Sequence, residues 1–98
     1  MQIRHACYVR CCLLELAFRK APISLETAKD MLGELKGMAL LKGARGNPPA
    51  DIDALAVALS RLSVFAAAHG DTLESVEMNP VRAMPEGVMA LDALIVKA

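Results

Sequence analysis

Apolar residues recur along the chain with two different periods. Behind Ser24, the residues Leu25, Ala28, Met31, Leu32 and Leu35 repeat at helical spacing. Ser24 is suited to cap the helix start and Glu26 to its first turn, so the pattern predicts a first helix ending near Gly37. The stretch "LLKGARGNPP", residues 40 to 49, gathers glycine and proline and predicts a loop. After Pro48, Asp51 and Asp53 complement a helix dipole, and Ile52, Leu55, Leu59, Leu62 and Ala66 form one stripe. This predicts a second helix ending near His69-Gly70.

Elsewhere the period is that of a strand. "CCLLELAFR", residues 11 to 19, is short, apolar and close to Pro22, which predicts a strand that stops before "KAPIS". "ESVEMNPVRAMPEGVMALDALI", residues 74 to 95, predicts two strands joined at "MPEG". Pro85 suits the second position of a type I turn and Gly87 the left-handed residue after it. A turn centred between Pro85 and Glu86 pairs residues whose numbers sum to 171, which sets Met78 opposite Ala93 and Asn79 opposite Asp92, unless a glycine bulge slips the register by one. The order strand, helix, loop, helix, strand, turn, strand predicts an α+β fold, a small antiparallel sheet packed by two helices.

Composition changes this picture in two respects. At 98 residues the chain makes one small domain, and its 11 basic and 11 acidic residues leave no field to attract nucleic acid. Hydrophobic residues make up 55% of the chain, an excess for a small core, so some apolar surface is expected to meet another chain. A homodimer is the expected form, with "CYVRCCLLEL" as an edge-strand seam. No run is long and apolar enough to cross a membrane, and Arg10 and Glu15 interrupt any signal-like start. Cys7, Cys11 and Cys12 crowd into one segment, which argues against a disulfide framework and for a reducing, cytoplasmic setting. With His5 they lack the separate paired ligands of a zinc site. His69 suits a helix C-terminus better than catalysis. The glycines of the loop do not fit a phosphate-loop pattern, and Lys42 and Arg45 read as a solvated basic loop that could alternatively meet phosphate or a partner carboxylate.

The polar residues of the hairpin carry the candidate chemistry. Ser75, Glu77 and Asn79 share a strand face by alternation, and the expected register sets Asp92 across from Asn79. Opposed side chains lie about 5 Å apart at Cβ, close enough for a carboxylate and an amide oxygen to hold one hard cation, with Glu77 as a third donor. Mg²⁺ takes such oxygen ligands and completes its shell with water and phosphate oxygens. Decoration of a solvated sheet face explains the same residues, and pattern alone leaves both readings open.

The segments "AFRKAPIS", "LLKGARGNPPADIDALAVALSRLS" and "VEMNPVRAMPEGVMALDALI" resemble, in that order, the C-terminal end of the ATP-grasp region of ADP-forming acyl-CoA synthetases, the acetate–CoA ligases and their succinyl-CoA synthetase β-like relatives. The resemblance divides the chain into a divergent N-terminal segment, 1–16, and an ATP-grasp C-terminal subdomain-like part, 17–98. It implies Mg²⁺ and ATP as cofactors, with the metal on Asn79 and Asp92 and with Glu77 assisting. It further implies phosphoryl transfer from ATP through a phosphohistidine to an acyl phosphate and on to acyl-CoA. Family members clamp the nucleotide with an upstream subdomain, so a complementary CoA-ligase chain is an expected partner and the chain alone is expected to show no ligase turnover. The alternative is a non-catalytic interaction or oligomerisation module from a truncated ligase gene. Neither His5 nor His69 falls in a matching motif.

Overall fold

The computed structural model describes residues 2–8, 12–14, 17–34, 43 and 49–97, and for 2–8, 12–14, 17–18 and 79–80 the description is of the backbone. Among the described residues eight elements follow in order: strands β1 (Gln2–Tyr8), β2 (Cys12–Leu14) and β3 (Ala17–Arg19), helices α1 (Leu25–Gly33) and α2 (Ile52–Ala68), then strands β4 (Leu73–Ala83), β5 (Val88–Ala90) and β6 (Ala93–Lys97). The strands form one sheet in the order β3-β2-β1-β4-β5, every described pair being antiparallel, and β6 also pairs with β4. The expected α+β fold is the observed one.

The first helix begins at the cap that the sequence predicts, and the second at Asp51, which was read only as a dipole partner. Ser24 Oγ accepts the Thr27 N–H at 3.1 Å at the start of α1, and Asp51 Oδ1 accepts the Ala54 N–H at 3.0 Å at the start of α2. Within the described residues α1 ends at Gly33, with Glu34 as its C-cap donating to the Met31 and Leu32 carbonyls. The expected stop at Gly37 lies outside the described residues, as do Lys42 and Arg45 of the basic loop. α2 ends at Ala68 with His69 as C-cap, its ring 4.6 Å from that of Phe65.

The stripe on α2 does what its spacing predicts. Leu55, Leu59, Leu62 and Ala66 are buried, and Leu55 and Leu59 meet Met31 and Leu32 of α1 and Val81 of β4 in the main core. A buried leucine of this kind contributes about 1.5–3 kcal/mol relative to an exposed one. Ser63 on the same face is fully buried and polar. Its Oγ accepts the Ile23 N–H at 2.9 Å and donates to the Ser60 carbonyl at 2.6 Å, while Ser60 Oγ donates to the Ile23 carbonyl at 2.9 Å. Two serines thus satisfy both backbone groups of Ile23, which lies buried ahead of α1.

Three expectations for the N-terminal part are corrected. The single strand over residues 11 to 19 is a pair of short strands, with Cys12 opposite Arg19, Leu13 opposite Phe18 and Leu14 opposite Ala17. The strand β1 was not expected, because "QIRHACY" lacks clean alternation; it exists by pairing with β2 on one side and β4 on the other. That arrangement also removes the premise for a seam at "CYVRCCLLEL", since β1 and β2 are interior to the sheet and the edges among the described strands are β3 and the β5–β6 side. In the β1–β2 ladder Cys7 stands directly opposite Cys12.

Candidate functional site

The hairpin register is the one that the turn chemistry dictates. Gly87 has φ +76, the left-handed geometry expected of it, and Met84 donates its N–H to the Gly87 carbonyl at 3.2 Å. Val81 pairs with Ala90, Arg82 with Met89 and Ala83 with Val88. Beyond them Met78 pairs with Ala93, Glu77 with Leu94, Val76 with Ile95 and Ser75 with Val96. All these numbers sum to 171, so the glycine does not slip the register.

Between these two runs the ladder skips two residues on each side, Asn79 and Pro80 on β4 and Leu91 and Asp92 between β5 and β6. Proline has no N–H to give to a ladder, which accounts for a break at this place. On the other side of β4, Ile3 pairs with Val81 and His5 with Met78, so Asn79 and Pro80 together face the single residue Arg4. This is a β-bulge, a device that re-aims side chains and increases local twist. It also resets the alternation: Val76 is buried and Met78 packs on the core before the bulge, whereas Val81 and Ala83 are buried after it.

The candidate residues gather at this interruption. Glu77 stands on the face away from Val76 and Met78, while Asp92 is exposed and accepts the N–H of Ala93 on Oδ1 at 2.9 Å. Glu77 and Asp92, with Ala93 and Leu94, line one depression of about 290 Å³. Asn79 is placed by its backbone, two residues beyond Glu77 on β4 and next to the Met78–Ala93 pair that adjoins Asp92; its side chain lies outside the described residues. Two carboxylates on one open depression are donors of the kind that suits a hard divalent cation. Among the described residues no three His, Cys, Asp or Glu side chains converge as a closed metal site.

Asp51 holds the turn end of this hairpin, a role its sequence reading as a helix-dipole partner did not reveal. Its Oδ2 accepts the Gly87 N–H at 2.8 Å, and its own N–H donates to the Met84 carbonyl at 2.7 Å. The Gly87 N–H, and after it the Ala54 N–H, hold the Asp51 carboxyl below its ordinary pKa against a smaller opposing effect of desolvation. A larger groove of about 440 Å³ runs between α2 and the sheet, lined by Ala54, Val57, Ala58, Arg61, Met78 and Val88 among others. Among the described residues it presents no carboxylate. No described helix is long and apolar enough to cross a membrane.

A model of the ATP-grasp domain matches residues 12–96. The chain is 40% identical over 80 residues to acetate–CoA ligase (ADP-forming) I of Archaeoglobus fulgidus, a match covering 82% of this chain and 12% of the relative. It is 33% identical over 84 residues to the β subunit of acetate–CoA ligase (ADP-forming) I of Pyrococcus furiosus, covering 86% of this chain and 36% of that one. The fold superposes with a TM-score of 0.83, at 30% identity, on the dinucleotide-forming acetyl-coenzyme A synthetase 1 of Ca. Korarchaeum cryptofilum in complex with coenzyme A and Mg-AMPPCP, covering 99% of this chain and 53% of that chain. The chain thus spans about half the length of that solved chain and about a third or less of the two ligases.

Proposed function

The chain belongs to the ATP-grasp family, as part of the ATP-grasp domain of ADP-forming acyl-CoA ligases, and from that premise we propose that it supplies the Mg²⁺-binding edge of an Mg-ATP phosphate site. The observation that carries this reading is the matched interruption of the β4–β5/β6 ladder beside Glu77 and Asp92, which line one depression. Asp92 and Asn79 are the proposed metal ligands, with Glu77 assisting. The donor set fits the group: carboxylate and amide oxygens, few in number, on an open surface that leaves room for water and phosphate oxygens. When bound, Mg²⁺ neutralises charge on the nucleotide phosphates and orients them.

The residues of this chain position that charge and do no covalent chemistry. Asp92 Oδ1 already accepts the Ala93 N–H, which fixes the carboxylate against the start of β6. Asp51 fastens the turn that sets the register, so helix α2 and the hairpin are held as one unit. The remainder of the nucleotide clamp and the acyl and CoA chemistry are proposed to come from a complementary CoA-ligase chain. The complex of the Ca. Korarchaeum cryptofilum synthetase with Mg-AMPPCP supports a nucleotide of this kind.

Isothermal titration of the chain with Mg-ATP tests the proposal. Weak, Mg²⁺-dependent binding is expected in the parent, and its loss in Asp92→Ala with an unchanged circular dichroism spectrum. Equal Mg-ATP affinity in parent and variant would remove Asp92 from the site.

A further inference from the structure

The β1–β2 ladder brings two of the three cysteines to one register position. Cys7 of β1 stands directly opposite Cys12 of β2, with Ala6 opposite Leu13 and His5 opposite Leu14 in the same unbroken register. The row continues on both sides, since Cys7 also pairs with Val76 of β4 and Cys12 with Arg19 of β3. Opposed residues of neighbouring strands share a face of the sheet. Val76 is buried with Leu62 and Ala66 of α2, and Arg19 donates to Glu34 at the end of α1 at 2.8 Å, so the row belongs to the helix-bearing face. Directly opposed residues of an antiparallel pair have Cα atoms about 4.5 or 5.5 Å apart. A disulfide takes Cα separations of roughly 4.4–6.8 Å, so this register admits one with the strands left where they are.

We propose that Cys7 and Cys12 are a redox-active pair that closes to a reversible cross-strand disulfide and so fastens β1 to β2. In a reducing setting the pair is a dithiol, and a small-molecule disulfide is the class of oxidant that closes it. With oxidised glutathione, the thiolate of one cysteine attacks a glutathione sulfur, forming a mixed disulfide and releasing one glutathione thiolate. The thiolate of the other cysteine then attacks the protein sulfur of that mixed disulfide and releases the second glutathione. Two protein thiols are oxidised, one glutathione disulfide is reduced to two thiols, and the two cysteine protons end on them. Cys11 lies outside the described residues, and it is Cys12 that the ladder sets opposite Cys7. The bond would act beside β4, because β1 pairs there through Ala6 with Glu77 and through Cys7 with Val76. It does not rest on the metal reading.

The test compares two single variants of the full chain in oxidised glutathione, with intramolecular closure followed by mass spectrometry. Cys11→Ser leaves Cys7 and Cys12, whereas Cys12→Ser leaves Cys7 and Cys11. The two loops differ by one residue, so chain length alone gives them nearly equal closure rates, and any large difference reports the fold. In the folded chain Cys11→Ser is expected to close at least about tenfold faster than Cys12→Ser, and in urea the ratio is expected to fall within about threefold. Equal or faster closure in Cys12→Ser, or a ratio unchanged by urea, would overturn the proposal. Fragmentation of the oxidised parent, which carries no substitution, locates the bond even if a serine variant fails to fold. A Cys7–Cys12 bond is expected there, and a Cys7–Cys11 bond, or a chain that stops at glutathione adducts, would overturn the proposal as well. In the closed parent, amide exchange across β1 and β2 is expected to slow by about tenfold relative to the reduced chain.

Discussion

Asp51 Oδ2 accepts the Gly87 N–H at 2.8 Å while Oδ1 accepts the Ala54 N–H at 3.0 Å, so a single carboxylate ties the first turn of α2 to the turn between β4 and β5. The helix cap and the hairpin turn are therefore one structure, and disturbing either should loosen both.

Replacing Asp51 by Ala removes both acceptors and should lower Tm by about 5 °C. Asp51→Asn has one side-chain oxygen and can serve only one of the two donors, so it should fall between parent and Ala. Amide hydrogen exchange at Ala54 and Gly87 reports which bond survives. Exchange unchanged at Gly87 in Asp51→Ala would show that the turn stands without this contact.

The lowered pKa of Asp51 sets the sign of a pH effect. The folded carboxyl binds its proton less readily than the unfolded one, so the unfolded state takes up more protons in the acid range. The contribution to stability is complete above the ordinary carboxyl value and is lost as pH falls through the folded value. An NMR titration of the Asp51 carboxyl carbon, followed beside the Gly87 amide shift, should give a midpoint below the ordinary 3.8. A midpoint above it would contradict the hydrogen-bond account.

Among the described residues Ser63 is the one polar side chain buried in the core, and its hydroxyl answers the Ile23 N–H. Ser63→Ala leaves that N–H buried without its acceptor and should cost about 1–3 kcal/mol in denaturant unfolding. Ser63→Thr keeps the acceptor but adds a methyl to a packed site, so its cost reports overpacking instead.

Much of this architecture was legible because local rules agreed with each other. At the hairpin, Pro85 and Gly87 chose the turn, and the alternation of Val76, Glu77 and Met78 chose the same register. At α2 the stripe of Leu55, Leu59 and Leu62 has only one way to be buried at helical spacing. What escaped was what tertiary context creates. β1 has no alternation of its own and owes its conformation to strands on both sides, one of them β4, far along the chain. The bulge was signalled by Pro80, a residue that cannot donate within a central strand, and reading it would have forecast the reset of faces between Met78 and Val81. The second bond of Asp51 had no signal, because nothing local ties it to Gly87.

The most direct test of the proposed role is whether these residues ligate a divalent ion at nucleotide phosphates. With Mn²⁺ in place of Mg²⁺ and a non-hydrolysable ATP analogue, the free-ion signal in an electron paramagnetic resonance titration should fall further on adding the parent chain than on adding Asp92→Ala. Glu77→Gln should give an intermediate loss. Identical titration curves for parent, Asp92→Ala and Glu77→Gln, with all three chains folded, would contradict the account.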